Sequence, residues 1–248
     1  MSLANVLAVS QAARTLVLLG DPQQLDQPMQ GSHPDGTGCS ALDHLLSGKQ
    51  TIGTDEGLFL DVTWRMHPDI SGFTSELFYE GKLESKEETA GQRVNASGIA
   101  GGTGLRFLPV EHKGNHNCSP EEADVIATMV DDILQQGATW VDRDGEEHPV
   151  ESDDILIIAP YNAQVFEIQQ RMPQARVGTV DKFQGQEAPI SIYSLASSSH
   201  ADAPRGMEFL YSLNRLNVAT SRAKCVTILV GSPQVFEAEC RTPRQMQL

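Results

Sequence analysis

Four short segments concentrate residue types suited to chemistry on phosphates and sugars. In residues 16–25 an apolar run ends in Gly20-Asp21-Pro22 and then presents Gln23 and Gln24. A glutamine there can orient a water or sense a phosphate, because its amide both donates and accepts. In Trp64-Arg65-Met66-His67-Pro68 an aromatic ring precedes a cation, a pair able to stack on a base and touch a phosphate. In residues 177–187 the Thr179 hydroxyl, Lys182 and the backbone amides suit a nucleic-acid phosphate, and Glu187 suits a ribose hydroxyl. In residues 213–224, Arg215, Arg222 and Lys224 bracket a run of small residues. As a helix that run would set Arg215 and Arg222 two turns apart on one face. Taken singly, each segment also fits an ordinary role: a strand-ending turn, a buried tryptophan beside a surface arginine, a solvated tight turn, an amphipathic helix with basic edges.

Two further clusters carry less. His112, His116 and Cys118 form an H-x3-H-x-C run, but no fourth ligand is near, so the run reads as a surface loop and not as a metal site. Residues 142–148 contain Asp142-Arg143-Asp144-Gly145 and read as a solvated hairpin; the ligand series of a calcium loop is lacking.

The elements that must position these residues follow from periodicity. Short, continuous apolar runs at 15–19, 58–62, 105–110, 155–159, 177–180, 189–195 and 226–230 predict strands. Continuous runs, as opposed to alternating ones, suit a parallel sheet covered on both faces. Helices are expected at 120–134, with Ser119 as N-cap and Gly137 as its stop, at 163–172, closed by Pro173, and at 217–223 and 233–238. The first thirteen residues read as a helix without the basic leader of a signal peptide. Residues 31–38 and 84–104 read as loops. Strands alternating with helices in this way predict an α/β fold. Open α/β sheets bind ligands beyond the carboxyl ends of their strands, so Trp64, Arg65, Glu187 and Arg222 are expected there, on one face.

The chain has 248 residues and a formal net charge of -15, from 18 Lys and Arg against 33 Asp and Glu. That balance argues against a general nucleic-acid coat protein and leaves room for a local basic groove. The four cysteines, at 39, 118, 225 and 240, form no C-x-x-C. Zinc fingers and disulfide scaffolds are therefore not expected, and a cytoplasmic location fits. No apolar run approaches the ~20 residues of a membrane span, so no membrane association is expected.

In their order and spacing the four segments resemble motifs III to VI of the superfamily 1 helicases, in the branch of the RNA-surveillance helicases and their bacterial relatives. GDPQQL (20–25) resembles motif III, WRMHP (64–68) motif IV, VGTVDKFQGQE (177–187) motif V and NRLNVATSRAK (214–224) motif VI. Trp64 stands where the branch usually has Tyr, and Asn214 where Arg is common. The resemblance implies a RecA-like parallel sheet flanked by helices. It implies that Gln24 couples hydrolysis to the strand and that Arg65 and Arg222 act as charge-stabilising fingers. It places Trp64 against adenine, Glu187 at the ribose and Arg215 beside the nucleotide, and it gives Thr179 and Lys182 the backbone of single-stranded DNA or RNA.

No G-x-x-x-x-G-K-[ST] occurs; Gly48-Lys49-Gln50 and Gly81-Lys82-Leu83 lack both its spacing and its hydroxyl. By the resemblance, residues 1–48 are expected to be a remnant of a first RecA-like domain, and 49–248 the second. The chain is then the C-terminal part of an ATP-dependent helicase that uses ATP and Mg²⁺ in its full-length form. The fragment alone is expected to be inactive, with no tightly bound cofactor. Its partners would be single-stranded nucleic acid and an N-terminal RecA-like domain, which similar bacterial proteins often extend with a RecB-like nuclease domain. The 16–19 strand would lack its neighbours, so residues 1–48 are expected to rest on the second domain, to enter a dimer contact or to be highly mobile. The alternatives are an inactive single-strand-binding module and a nucleotide-binding regulatory α/β protein.

Overall fold

A computed structural model describes residues 1–25, 37–206, 209 and 212–237. Its centre is a five-stranded, all-parallel sheet in the order β4-β10-β9-β7-β8. The strands are β4 (Gly104–Pro109), β7 (Ile155–Ala159), β8 (Arg176–Thr179), β9 (Ala188–Ser194) and β10 (Ala223–Gly231). The flanking helices are α4 (Pro120–Gln135), α5 (Asn162–Arg171) and α6 (Leu213–Thr220). This is the expected α/β architecture, a parallel sheet flanked by helices.

The continuous apolar strands have the expected cause. Ile155 and Ile157 of β7 face α4 and α5 beside Ile190, Ile192, Val226 and Ile228. Leu156 and Ile158 face the opposite layer, with Tyr193 and with Val218 and Ala219 of α6. Both faces being covered, alternation has no role. Helix α4 starts at Ser119, whose hydroxyl accepts from the Glu122 amide at 3.2 Å. It presents Ala123, Ile126, Val130 and Ile133 to the core, and Gly137, at φ +65°, takes the left-handed position that ends it.

Smaller elements frame this core. α1 (Leu3–Ser10) and α2 (Ala41–Leu46) lie N-terminal to it. β1 (Val62–Thr63) pairs in parallel with β2 (Glu84–Ser85), and α3 (Pro68–Phe78) runs between them. β3 (Arg93–Asn95), β5 (Thr139–Val141) and β6 (Glu147–Pro149) make an antiparallel sheet. Its β5–β6 hairpin is the turn expected at 142–148.

Four expectations need correction. Residues 15–19 form no strand; Val17 is 79% and Leu19 89% exposed, because no strand among the described residues lies beside them. Of 58–62, only Val62 is in a strand, for the same reason: Leu58 and Leu60 are exposed. The 84–104 segment is not a plain loop but holds β2, β3 and 3-10 turns at Glu87–Gly91 and Gly98–Ala100. Helix α6 starts earlier than expected and stops at Thr220, which leaves Arg222 outside it in the turn before β10. Of the N-terminal expectation, the contact with the rest of the chain is seen: Leu25 packs against the α6-side core.

Ile157→Ala should cost about 2–5 kcal/mol, as a fully buried aliphatic truncation does. Leu19→Ala, at a site with no packing to lose, should stay within about 0.5 kcal/mol. Urea unfolding of both variants checks the contrast.

Candidate nucleotide and strand interface

The site is built from the end of α6. The last four carbonyls of a helix have no partner within it, and each of these is met from outside. The cap carbonyl, Ser221 O, accepts from Arg65 Nη1 at 3.0 Å. Val218 O accepts from Arg222 Nε at 3.0 Å, Ala219 O from the Ser191 hydroxyl at 3.1 Å and Thr220 O from the Thr227 hydroxyl at 3.1 Å. Ser191 and Thr227 belong to β9 and β10, so the sheet fixes where the helix stops. Arg222 also donates to Gln186 O at 3.2 Å and to the Ser221 hydroxyl at 3.2 Å. It is 2% exposed. Burial lowers its guanidinium to about 10, and the like charge of Arg65 adds to the effect; it stays charged at neutral pH.

A bulge in β10 then brings in the Trp64–Pro68 segment. Ala223 pairs with Ala188, but Val226 pairs with Ile190, so one extra residue sits on β10. The Lys224 carbonyl is thereby free of the ladder and accepts from His67 N at 2.9 Å. The buried Gln92 amide bridges Arg65 O at 2.8 Å and Lys224 O at 3.4 Å. Pro68 opens α3 and His67 caps it, its Nδ1 accepting from Asp69 N at 3.1 Å. Arg65 is held by both its ends. Nε donates to Glu187 Oε2 at 2.7 Å and Nη1 to Ser221 O at 3.0 Å.

Glu187 takes a second cation, Lys224, at 3.2 Å. Burial alone would push this carboxyl up, but the Arg65 hydrogen bond and the Lys224 charge outweigh it and hold it below the usual range. Trp64 leaves the protein at this point, 56% exposed, with Lys86 Nζ 4.8 Å from its ring centroid and Arg143 6.0 Å away. Its open ring can stack on a planar base. Gln24 lies in the turn beside α6, its amide on Asp21 Oδ2 at 2.8 Å, and the Asp21 charge reaches Arg222.

Trp64, Arg65, Glu187 and Arg222 thus share one region, but at the other edge from that expected. Glu187 and Arg222 immediately precede β9 and β10, so the cluster lies at the amino ends of the parallel strands. Thr179, Lys182 and Arg215 lie toward the carboxyl ends. Thr179 closes β8 and precedes the 3-10 turn Val180–Phe183. Lys182 is exposed and its Nζ donates to Val177 O at 2.8 Å. Arg215, about 10 Å along α6 from Arg222, pairs with Asp181 at 3.4 Å. It therefore sits apart from Trp64 and Arg222, because α6 stops before Arg222 and never carries both on one face.

The other polar clusters are spoken for. His112 is no surface residue: it is buried between Glu122 Oε1, at 2.9 Å, and the Ser198 hydroxyl, at 2.7 Å. His116 Nδ1 lies 2.8 Å from Asp202 O. Among the described residues the one group with metal-like spacing is Asp142, Glu146 and His148. There Asp142 Oδ1 already accepts the Asp144 and Glu146 amides at 2.9 Å, which is the cap of the hairpin turn. Sequence reasoning missed Gln92, Ser221 and Tyr79. Gln92 sits in an aperiodic stretch with nothing to mark it, and Ser221 and Tyr79 act on partners distant in the chain.

Residues 39–234 match the family described as AAA domain. The chain is 26% identical over 256 residues to helicase sen1 of Schizosaccharomyces pombe, covering 96% of this chain and 14% of that protein. It is 28% identical over 244 residues to ATP-dependent helicase upf1 of the same yeast, covering 90% and 24%. It is 30% identical over 225 residues to the DNA replication ATP-dependent helicase/nuclease DNA2 of Gallus gallus, covering 88% and 21%. The chain therefore spans between 14% and 24% of the length of these relatives. Among the described residues no helix is long and apolar enough to cross a membrane.

The ionised form of Glu187 stabilises the fold, and the sign follows from its lowered pKa. That stability is fully present above the unfolded value of about 4.3 and is lost as pH falls through the folded one. Glu187→Gln should cost about 0.5–1 kcal/mol at neutral pH, discounted for solvent at a partly exposed site. The gap to wild type should start to narrow as pH falls below about 4.3 and close once the folded-state carboxyl is protonated; urea unfolding over a falling pH series reads it.

Proposed function

We propose, on the premise that this chain belongs to the AAA domain family in its superfamily 1 helicase branch, that it supplies one side of an ATP-dependent helicase or translocase. Residues 49–248 act as a second RecA-like domain, and residues 1–48 belong to a first one. The observation that carries the proposal is the joint hold on two arginines: Arg65 and Arg222 both bond Ser221, beside Glu187 and the open Trp64 ring. Two positive groups held this close, one of them buried without a carboxylate bond among the described residues, suit a site where negative charge arrives from outside.

In this reading Trp64 stacks on adenine and Glu187 holds the ribose. Arg65 and Arg222 neutralise charge on the transferring phosphoryl, and Gln24 links that event to the strand. ATP with Mg²⁺ supplies the phosphoanhydride bond. Its phosphates and metal need a glycine-rich loop with a lysine and a hydroxyl, which this sequence does not contain, so a partner RecA-like domain provides them. The exposed apolar residues at 16–19 and 58–60 support this, since a neighbouring sheet would cover them and pair their backbones. Thr179 and Lys182 hold the backbone of single-stranded DNA or RNA, and Arg215, on their side of the sheet, belongs with them.

The purified 248-residue chain should release no phosphate from ATP above background, with or without oligonucleotide. Robust turnover stimulated by the strand would overturn the division of labour. In a longer protein carrying both halves, Arg222→Ala should lower kcat by about 10³-fold or more while changing nucleotide affinity much less. Lys182→Ala should weaken oligonucleotide binding and reduce its log–log salt slope by about 1. No salt-dependent oligonucleotide binding at all would favour a nucleotide-binding regulatory protein.

A further inference from the structure

We infer that Tyr79 and Asn217 are positioning residues that clamp the Gln23-Gln24 turn to α6, the helix that leads into Arg222, so that a ligand met at the amino edge is felt by the turn. The part of this inference that concerns nucleotide rests on the function proposed above; the clamp itself rests on geometry.

Tyr79 caps the C-terminal end of α3. Its ring is wedged between Phe59, at a centroid distance of 6.0 Å, and Phe78, at 6.5 Å, which aims the hydroxyl. That hydroxyl donates to Asp21 Oδ2 at 2.5 Å and accepts from Asn217 Nδ2 at 3.0 Å. The second Asn217 N–H goes to Gln23 O, also at 3.0 Å. Asp21 in turn accepts the Gln23 amide at 2.9 Å and the Gln24 side chain at 2.8 Å. The turn is therefore gripped at its carboxylate by α3 and at its backbone by α6.

The grip continues to the arginine. Asn217 immediately precedes Val218, whose carbonyl holds Arg222 Nε, so one unbroken run of bonds joins Gln24, Asp21, Tyr79, Asn217 and Arg222. Burial, and then the neighbouring Asp21, raise the Tyr79 hydroxyl above its ordinary value, which keeps it a donor at any physiological pH. Asn217 is fully buried, and its Oδ1 has no partner among the described residues. A buried acceptor left unmade is destabilising, so a residue selected only for packing would not be an amide. What the amide provides is two donors aimed at two segments.

Amide hydrogen exchange of the 248-residue chain tests this, with ATP as the probe. Without nucleotide, Tyr79→Phe should speed exchange of the 23–25 amides about tenfold and leave β7 and β9 within about twofold of wild type. Unchanged exchange in the turn, or an equal rise throughout the sheet, would overturn the clamp. With saturating ATP, wild type should gain about fivefold protection in the turn. Tyr79→Phe should lose that gain while its ATP affinity, read from fluorescence quenching, stays within about twofold. Asn217→Ala should do the same through the other bond. A Tyr79→Phe chain that keeps the ATP-dependent gain refutes the inference. Failure of wild type to bind ATP counts against the nucleotide reading alone, and the comparison without nucleotide still decides the clamp.

Discussion

The arrangement depends on one charge placed at the end of one helix. Arg222 is buried with three neutral acceptors and, among the described residues, no carboxylate in hydrogen-bonding contact. An isolated buried cation is ordinarily very costly. Here it lies against the carbonyl end of α6, where the helix dipole is negative, and it fills one of the acceptors the helix would otherwise leave unmet. The cost is thus offset locally, and the guanidinium is retained in its charged form within reach of the Asp21 and Glu187 charges.

Fixing Arg222 constrains what surrounds it. The Ser191 and Thr227 hydroxyls must lie under the last turn of α6, which sets the helix against β9 and β10. The bulge at the start of β10 must free the Lys224 carbonyl, because it anchors the His67 amide and so the register of Trp64 and Arg65. Gln92 ties the two backbones together. None of these groups would contact a ligand directly, yet each determines where the two arginines sit relative to one another.

The sheet also separates two kinds of chemistry. The amino edge gathers Arg65, Arg222, Lys224 and Glu187, a locally positive cluster within a chain of net charge -15. The carboxyl side holds Thr179, Lys182 and the Arg215–Asp181 pair. Helix α6 spans the distance between them and carries Asn217 midway, against the turn that holds Gln24. A displacement at either edge thus has a rigid element through which to act on the other.

The sequence by itself determined the layered α/β fold, and the reason is local. Runs such as 155–159 and 189–195 are apolar without alternation, which only a sheet covered on both faces can bury, and Ser119, Gly137 and Pro173 mark helix ends through their own backbone preferences. The order of the four polar segments was equally legible, since residue type and spacing survive in one dimension. Tertiary structure decided everything that turns on partners distant in the chain. Residues 15–19 have the composition of a strand, but a strand needs a neighbour to complete its hydrogen bonds, and none of the described strands lies beside them. Arg215 and Arg222 share a segment, yet the helix ends between them, because the hydroxyls of Ser191 and Thr227 receive its last carbonyls. The approach of Trp64 and Arg65 to Glu187 and Arg222 was set by strand register and by one extra residue in β10, quantities defined only between strands and therefore invisible along any one of them.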